Sequence, residues 1–194
     1  MRTKQELYWP LARAGVAYRF RLCGFMLSVL IETHNHEDAL ARTLAALVSG
    51  AVEGVVREVI VCDRGSSDRT ATVAEHAGCH FLENTGLETG IRKARGEWLL
   101  VLEPGSRPLE GWIEAVASHM SDETGPARFR RSRQTQQSFL KKLFAPRRPM
   151  AEGLVISRRQ ALSLAGKNVS ADALVRSVAP QRLEAAIHAA LPQA

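Results

Sequence analysis

The chain has 194 residues and a formal net charge of +6, with 45% apolar and 24% charged residues. That balance is ordinary for a globular protein and excludes a disordered chain, a collagen-like chain and a coiled-coil rod. A chain of this length buries roughly 70% of its unfolded surface, so it holds a core without disulfide or metal staples. Cys23, Cys62 and Cys79 are an odd number, lie far apart and form no C-x-x-C pair. They read as reduced thiols of a cytoplasmic protein.

The first 25 residues read as an extension ahead of the first strand. Arg13, Arg19 and Arg21 interrupt what would be the apolar core of a signal peptide. The most apolar run there, Leu22 to Ile31, is about half the length of a membrane-spanning helix.

Leu27-Ser-Val-Leu-Ile31 is a buried-strand run. Thr33, Asn35 and Asp38 surround a helix start, and Leu40, Leu44, Leu47 and Val48 give that helix an apolar face. Glu58 to Cys62 is the next strand, and Asp63 to Thr70 is a polar turn in which Ser67 or Asp68 caps a helix running to about Ala77. Cys79 to Leu82 is a third strand, Thr89 to Arg95 a short helix, and Trp98 to Leu102 a strongly apolar fourth strand. Pro104, Gly105 and Pro108 make a loop, and Leu109 to Met120 is amphipathic. Beyond residue 125 the pattern predicts an edge strand over Arg128 to Arg131 and a strand over Gly153 to Ser157. Helices are predicted over Arg158 to Leu164, Ala171 to Val178 and Gln181 to Ala190.

Strands alternating with helices predict a doubly wound, mostly parallel sheet flanked by helices. Ligands in such sheets bind at the carboxyl ends of the strands. Three polar loops fall there: Glu32 to Glu37, Asp63 to Thr70, and Glu103 to Arg107.

The positive charge is local. Residues 125–151 contain eight Lys and Arg and no Asp or Glu, which leaves the rest of the chain net negative. Phe139, Leu140, Leu143 and Phe144 stand among Lys141, Lys142, Arg147 and Arg148. Two readings stay open: a solvated basic loop, or a short amphipathic helix over 139–148 that meets an anionic membrane surface. No helix-turn-helix pattern, zinc-ligand spacing or aromatic platform points to specific nucleic-acid binding. His34 and His36 form an H-x-H without a third ligand at a telling spacing, so they read as surface or capping residues. Cys62 reads as a core thiol, and Trp98 and Trp112 as core aromatics.

Three segments carry a family resemblance: Ser28 to Glu37, Glu58 to Thr70, and Ala94 to Glu103. In this order they resemble glycosyltransferase family 2, whose GT-A fold joins a nucleotide-binding α/β half to an acceptor-binding half. The resemblance covers about residues 27–120 and, faintly, 151–176. It implies an N-terminal extension over 1–25, a nucleotide-sugar-binding core over 26–125 and a short acceptor-side region over 126–194. It also implies transfer of a sugar from a nucleotide-sugar donor to an acceptor hydroxyl, with inversion, in envelope or polysaccharide synthesis. The implied location is the cytoplasm or the inner face of the membrane.

By the same resemblance, Thr33 and Asn35 wrap the donor nucleotide, and Asp63 hydrogen-bonds its base or ribose. Asp68 and Thr70 support the second loop. The family's general base, an Asp of the second half, corresponds to Asp172, with Glu152 as the other acidic candidate. The family carries an Asp-x-Asp at the end of the fourth strand, and its last Asp holds a divalent ion, Mn or Mg, on the donor diphosphate. Here that segment is Glu103-Pro104-Gly105. Glu103 is the metal or ribose candidate, and Gly105 offers no side-chain ligand. The sequence also has Glu32 in place of the usual proline and Arg64 in place of a common acid. Two readings follow. Either cationic side chains, Arg64 and Arg107, neutralise the diphosphate, or the domain is a catalytically silent nucleotide-binding or scaffold module.

Overall fold

The computed structural model describes residues 26–122, 125–132, 148–166 and 170–190. The expected extension over 1–25 and most of the amphipathic segment 139–148 lie outside the described residues, and only Arg148 of that segment falls within them.

The first half follows the expected alternation. Strand β1 (Leu27–Thr33) leads to α1 (Glu37–Val52), β2 (Val56–Asp63) to α2 (Thr70–His76), and β3 (His80–Leu82) to α3 (Leu87–Lys93). Strand β4 (Trp98–Leu102), the two-residue β5 (Arg107–Pro108) and α4 (Trp112–Ser121) follow. The second half holds β6 (Ala127–Arg131), a 3-10 turn (Pro149–Glu152), β7 (Leu154–Ser157), α5 (Arg158–Leu164), α6 (Ala171–Arg176) and β8 (Gln181–His188).

All eight strands join one sheet in the order β3-β2-β1-β4-β7-β6-β8-β5. The pairs β1·β2, β1·β4, β2·β3 and β6·β8 are parallel; β4·β7, β6·β7 and β5·β8 are antiparallel. Both faces are covered, which is why the central strands read as continuous apolar runs. On one face Val29 and Ile31 of β1 pack with Leu40, Leu44 and Leu47 of α1 and with Trp112, Val116 and Met120 of α4. On the other, Leu30 packs with Cys62, Leu87 and Ile91, then with Leu99, Ile156 and Leu174. This period-2 alternation puts each apolar side chain into one of two cores. Each fully buried leucine or isoleucine contributes roughly 1.5–3 kcal/mol by leaving water.

Helix α3 lies close on the sheet because residue 90 is glycine. A Cβ there would stand 2.5 Å from Cys62 Sγ. Cys62 is fully buried, and burial pushes its thiol up to about 12. It is a core thiol, as its place in an apolar strand predicts.

Two expectations are corrected. Residues 127–131 form no edge strand; β6 lies between β7 and β8. The helix expected over Gln181 to Ala190 is the strand β8. Its alanines, leucine and glutamate favour a helix locally. Leu183, Ala185 and Ile187, however, are spaced by two and are all buried, and pairing with β6 and β5 overrides local propensity.

Candidate functional site

The parallel register fixes the site. Thr33 pairs with Asp63, and Ile31 with Leu102. The ends of β1, β2 and β4 therefore coincide, and their three polar loops emerge along one edge.

The first two loops are locked together. Asp63 is 1% exposed, and its oxygens serve its own turn. Oδ2 accepts from Gly65 N at 2.9 Å and Ser66 N at 2.7 Å, and Oδ1 accepts from Ser66 Oγ. Ser66 Oγ in turn accepts from Asn35 N at 2.7 Å. Asn35 adopts a left-handed φ of 55°, a conformation asparagine tolerates. Its Oδ1 accepts from Ser67 N at 2.8 Å. Thr33 is buried and meets His36 Nδ1 at 3.3 Å. Behind them the helix starts are cross-capped. Asp68 accepts from Glu37 N of α1 at 3.1 Å and from Thr70 N of α2 at 2.9 Å, and Glu37 Oε2 accepts from Arg69 N at 2.9 Å. Ser66 and Glu37 are the residues sequence reasoning missed here, since a contact across some 30 residues leaves no mark in local spacing.

Arg64 is engaged at this edge. Its guanidinium meets Glu32 Oε1 at 2.5 Å. A hollow of about 310 Å³ adjoins it, lined by Arg64, Asn84, Thr85, Gly86, Glu88 and Thr89. Arg107 is exposed on β5, paired in register with His188 of β8.

At the end of β4 the structure brings together residues from both halves. Glu103 Oε2 lies 2.9 Å from Arg148 Nη2. The contact is a close ion pair at a buried carboxylate oxygen. Arg148 Nη1 donates to Ala190 O at 3.1 Å. Asp172, in the first turn of α6, has Oδ1 3.4 Å from Met150 N. Burial pushes the Glu103 carboxyl above its usual range; the Arg148 guanidinium pulls it back, and the Asp172 carboxylate pushes it further up. Asp172 is thus close enough to Glu103 for its charge to act on that carboxyl. Glu152, the other acidic candidate, is paired with Arg128 at 3.3 Å.

These residues do not fit a divalent ion. A hard cation wants several oxygen ligands. Glu103 is the one carboxylate at the end of β4, and Arg148 is already on it. Gly105 has a φ of +92°, and a Cβ there would face Ala190 Cβ at 3.3 Å and Ala39 Cβ at 3.6 Å. Among the described residues, no group of three His, Cys, Asp or Glu is placed to hold a metal. No helix among them is long and apolar enough to cross a membrane.

Comparison with known proteins agrees with this architecture. The structure resembles glucosyl-3-phosphoglycerate synthase from Mycobacterium tuberculosis in complex with Mn2+, UDP and glucosyl-3-phosphoglycerate. The TM-score is 0.65 at 16% identity, over 94% of this chain and 77% of that one. A complex of the same enzyme with Mn2+, UDP and phosphoglyceric acid gives a TM-score of 0.58 at 17% identity, over 78% of this chain and 62% of that one. Mannosyl-3-phosphoglycerate synthase from Rubrobacter xylanophilus gives 0.54 at 18% identity, over 75% and 57%. At these identities the likeness is one of fold. A TPR repeat-containing protein from Synechococcus elongatus is 32% identical in an alignment of 96 residues that covers 45% of this chain and 23% of that protein. The chain thus spans under a quarter of this curated relative. The model of glycosyl transferase family 2 matches residues 28–169, so well over half of the chain is covered, and the chain belongs to that family.

Proposed function

We propose that the chain is a nucleotide-sugar-dependent glycosyltransferase that moves a sugar to an acceptor hydroxyl with inversion. The observation that carries this reading is the strand register, which brings the ends of β1, β2 and β4, with Glu103 and the interlocked loops of Asp63 and Asn35, to one edge of the sheet. In this reading Thr33, Asn35 and Asp63 shape the nucleotide subsite, with the hollow beside Arg64 as the space for the base, and Arg107 borders the donor. The Asp172 carboxylate takes the proton of the acceptor hydroxyl. The acceptor oxygen forms the new bond to the anomeric carbon, and the bond to the diphosphate breaks. The bonding pair leaves with the diphosphate, and the proton stays on Asp172. The expected core over 26–125 binds the donor, and 126–194 supplies the acceptor side.

A thermal-shift panel with UDP-, GDP- and TDP-sugars tests the donor site. A ligand at 100 times its Kd stabilises by about 2.7 kcal/mol, a shift of roughly 5–10 °C for a chain of this size. Asp172→Asn then separates chemistry from binding. Lost turnover with an unchanged shift supports the assignment. Stabilisation by none of the donors overturns it. A second reading, a nucleotide-binding module without turnover, draws on the Glu103–Arg148 pair, which occupies the carboxylate at the end of β4. It predicts a shift with no sugar release in the wild type.

For the acceptor we propose an envelope or lipid-linked polysaccharide substrate met at an anionic membrane surface. The support is the basic, apolar-edged composition of 139–148. Co-sedimentation with phosphatidylglycerol vesicles, lost in Lys141→Glu/Lys142→Glu, is the expected outcome, and no sedimentation overturns this part.

A further inference from the structure

We infer that Arg148 supplies the positive charge that holds the donor diphosphate, so that nucleotide-diphosphate binding by this chain needs no divalent ion. The inference rests on the nucleotide-sugar reading above and deepens it. Three observations carry it.

The first is position. Arg148 stands on the carboxylate at the end of β4, with Nη2 2.9 Å from Glu103 Oε2, and Glu103 is the one acid that remains in the segment where the family carries its Asp-x-Asp. Arg64 is held by Glu32 at the end of β1, and Arg107 is exposed on β5. Of the three arginines, Arg148 alone meets Glu103.

The second is preorganisation. Arg148 is held from two sides, by Glu103 and by Ala190 O at 3.1 Å. A guanidinium has five N–H donors, so the two contacts leave donors for phosphate oxygens, and about a third of the side chain, 32%, is open to solvent. Fixing the fork in advance lowers the entropy lost when it binds a planar or tetrahedral oxyanion. The same Ala190 that Arg148 holds packs against Gly105. The glycine that removes a carboxylate and the arginine that adds a charge therefore share one neighbour.

The third is charge. Glu103 feels Arg148, Asp172 and Arg131 together. Arg148 and Arg131 together bring two positive charges, the number a divalent ion would bring to a diphosphate.

Isothermal titration of the full chain with UDP, GDP and TDP, each in EDTA and in Mn2+, tests the inference. We expect at least one diphosphate to bind in EDTA, with a Kd that Mn2+ changes by no more than about twofold. Arg148→Ala should weaken that diphosphate about tenfold or more, the worth of a charge-assisted phosphate contact, and the matching monophosphate by about twofold at most. Arg148→Lys keeps a cation on Glu103 and guards against misfolding. It should bind the diphosphate with intermediate affinity, because an ammonium cannot make the bidentate contact. Binding that requires Mn2+ overturns the inference and leaves the glycosyltransferase reading standing. So does a folded Arg148→Ala or Arg148→Lys variant with wild-type affinity for the diphosphate. Failure of every nucleotide in both buffers overturns the two together.

Discussion

Arg64 reaches across the ends of β1 and β2 to Glu32, and its Nε and Nη2 both donate to Glu32 Oε1, at 2.7 and 2.5 Å. These are two of the positions at which the chain departs from its family's usual pattern, and the structure shows that they face each other. An acid at position 64 would meet the Glu32 carboxylate as a like charge. The two changes therefore suit one another as a pair. Arg64 is about half exposed, so a double-mutant cycle with Glu32→Gln and Arg64→Gln in urea unfolding should give a coupling of about 0.5–1 kcal/mol. It should shrink in about 1 M salt. No coupling at low salt would mean that the two residues vary independently.

Asp63 holds the turn that shapes the loop after β2. Gly65 N, Ser66 N and Ser66 Oγ all donate to it. Asp63→Ala removes a charged acceptor from three donors and should cost about 2–4 kcal/mol. At this size that lowers Tm by roughly 5–15 °C. Ser66→Ala removes one donor and also breaks the relay to Asn35, and should cost about 1 kcal/mol. Calorimetry of both variants checks the order. An Asp63→Ala variant as stable as wild type would mean that the carboxylate is held for ligand contact alone.

Asp68 caps α1 and α2 at once. Burial pushes its carboxyl up, but the Thr70 hydroxyl and amide and the Glu37 amide outweigh that and hold it below the usual aspartate value. The sign follows from linkage. A lowered folded pKa adds stability above the unfolded pKa, and that stability is lost as pH falls through the folded pKa. Asp68→Ala should cost about 1–2 kcal/mol at neutral pH. The gap to wild type should narrow as the solution is acidified below the ordinary aspartate range. A gap independent of pH would show that packing, not the carboxylate, carries the cap.

The sequence displays the first half of this fold because every element there is local. The β1, β2 and β4 runs are apolar, β1 and β2 with several β-branched residues, and the turns that follow them are polar. The second half is harder for physical reasons. Gln181 to His188 has the composition of a helix, and only the burial of Leu183, Ala185 and Ile187 makes it a strand. The site divides the same way. Thr33 and Asp63 end strands, Asn35 and Glu103 lie just after them, and their places at the sheet edge can be read from position. Arg148 lies 45 residues beyond Glu103 in the chain. It reads in sequence as one cation in a basic tract, and its partner appears only when β4 and the turn before β7 come together.

Gly105 makes a direct test of the poor metal fit. Restoring the family's acid with Gly105→Asp places a Cβ at a φ of +92°, against Ala190 and Ala39. A left-handed L residue costs about 1–2 kcal/mol, and the contact with Ala190 adds to it. We expect Gly105→Asp to be less stable than wild type and to gain no Mn2+ affinity in titration calorimetry. Gly105→Ala should show the same loss of stability without the charge. Tight Mn2+ binding by Gly105→Asp would show that the loop readily rebuilds an ion site.

Glu58 lies at the opposite end of β2 from Asp63, and its role is structural. It accepts from Ser28 Oγ at 2.6 Å, Arg95 N at 2.7 Å and Arg95 Nε at 2.8 Å, with only 3% of its side chain exposed. Burial pushes its carboxyl up, but the Ser28 hydroxyl and the Arg95 amide and guanidinium overcome this and hold it below the usual glutamate value. Its stabilisation is therefore complete above the ordinary glutamate pKa and is lost as pH falls through the folded value. Because Arg95 is half exposed, Glu58→Ala should cost about 2–3 kcal/mol at neutral pH, the worth of hydrogen bonds to one charged group. Glu58→Gln keeps the shape, costs less and flattens the acid limb of the stability curve. Nucleotide affinity should stay as in wild type, because the substitution sits at the far end of the strand from the three loops. A Glu58→Gln protein whose Tm falls with acid as steeply as wild type would assign the acid limb to other carboxylates, with Asp68 the first to examine.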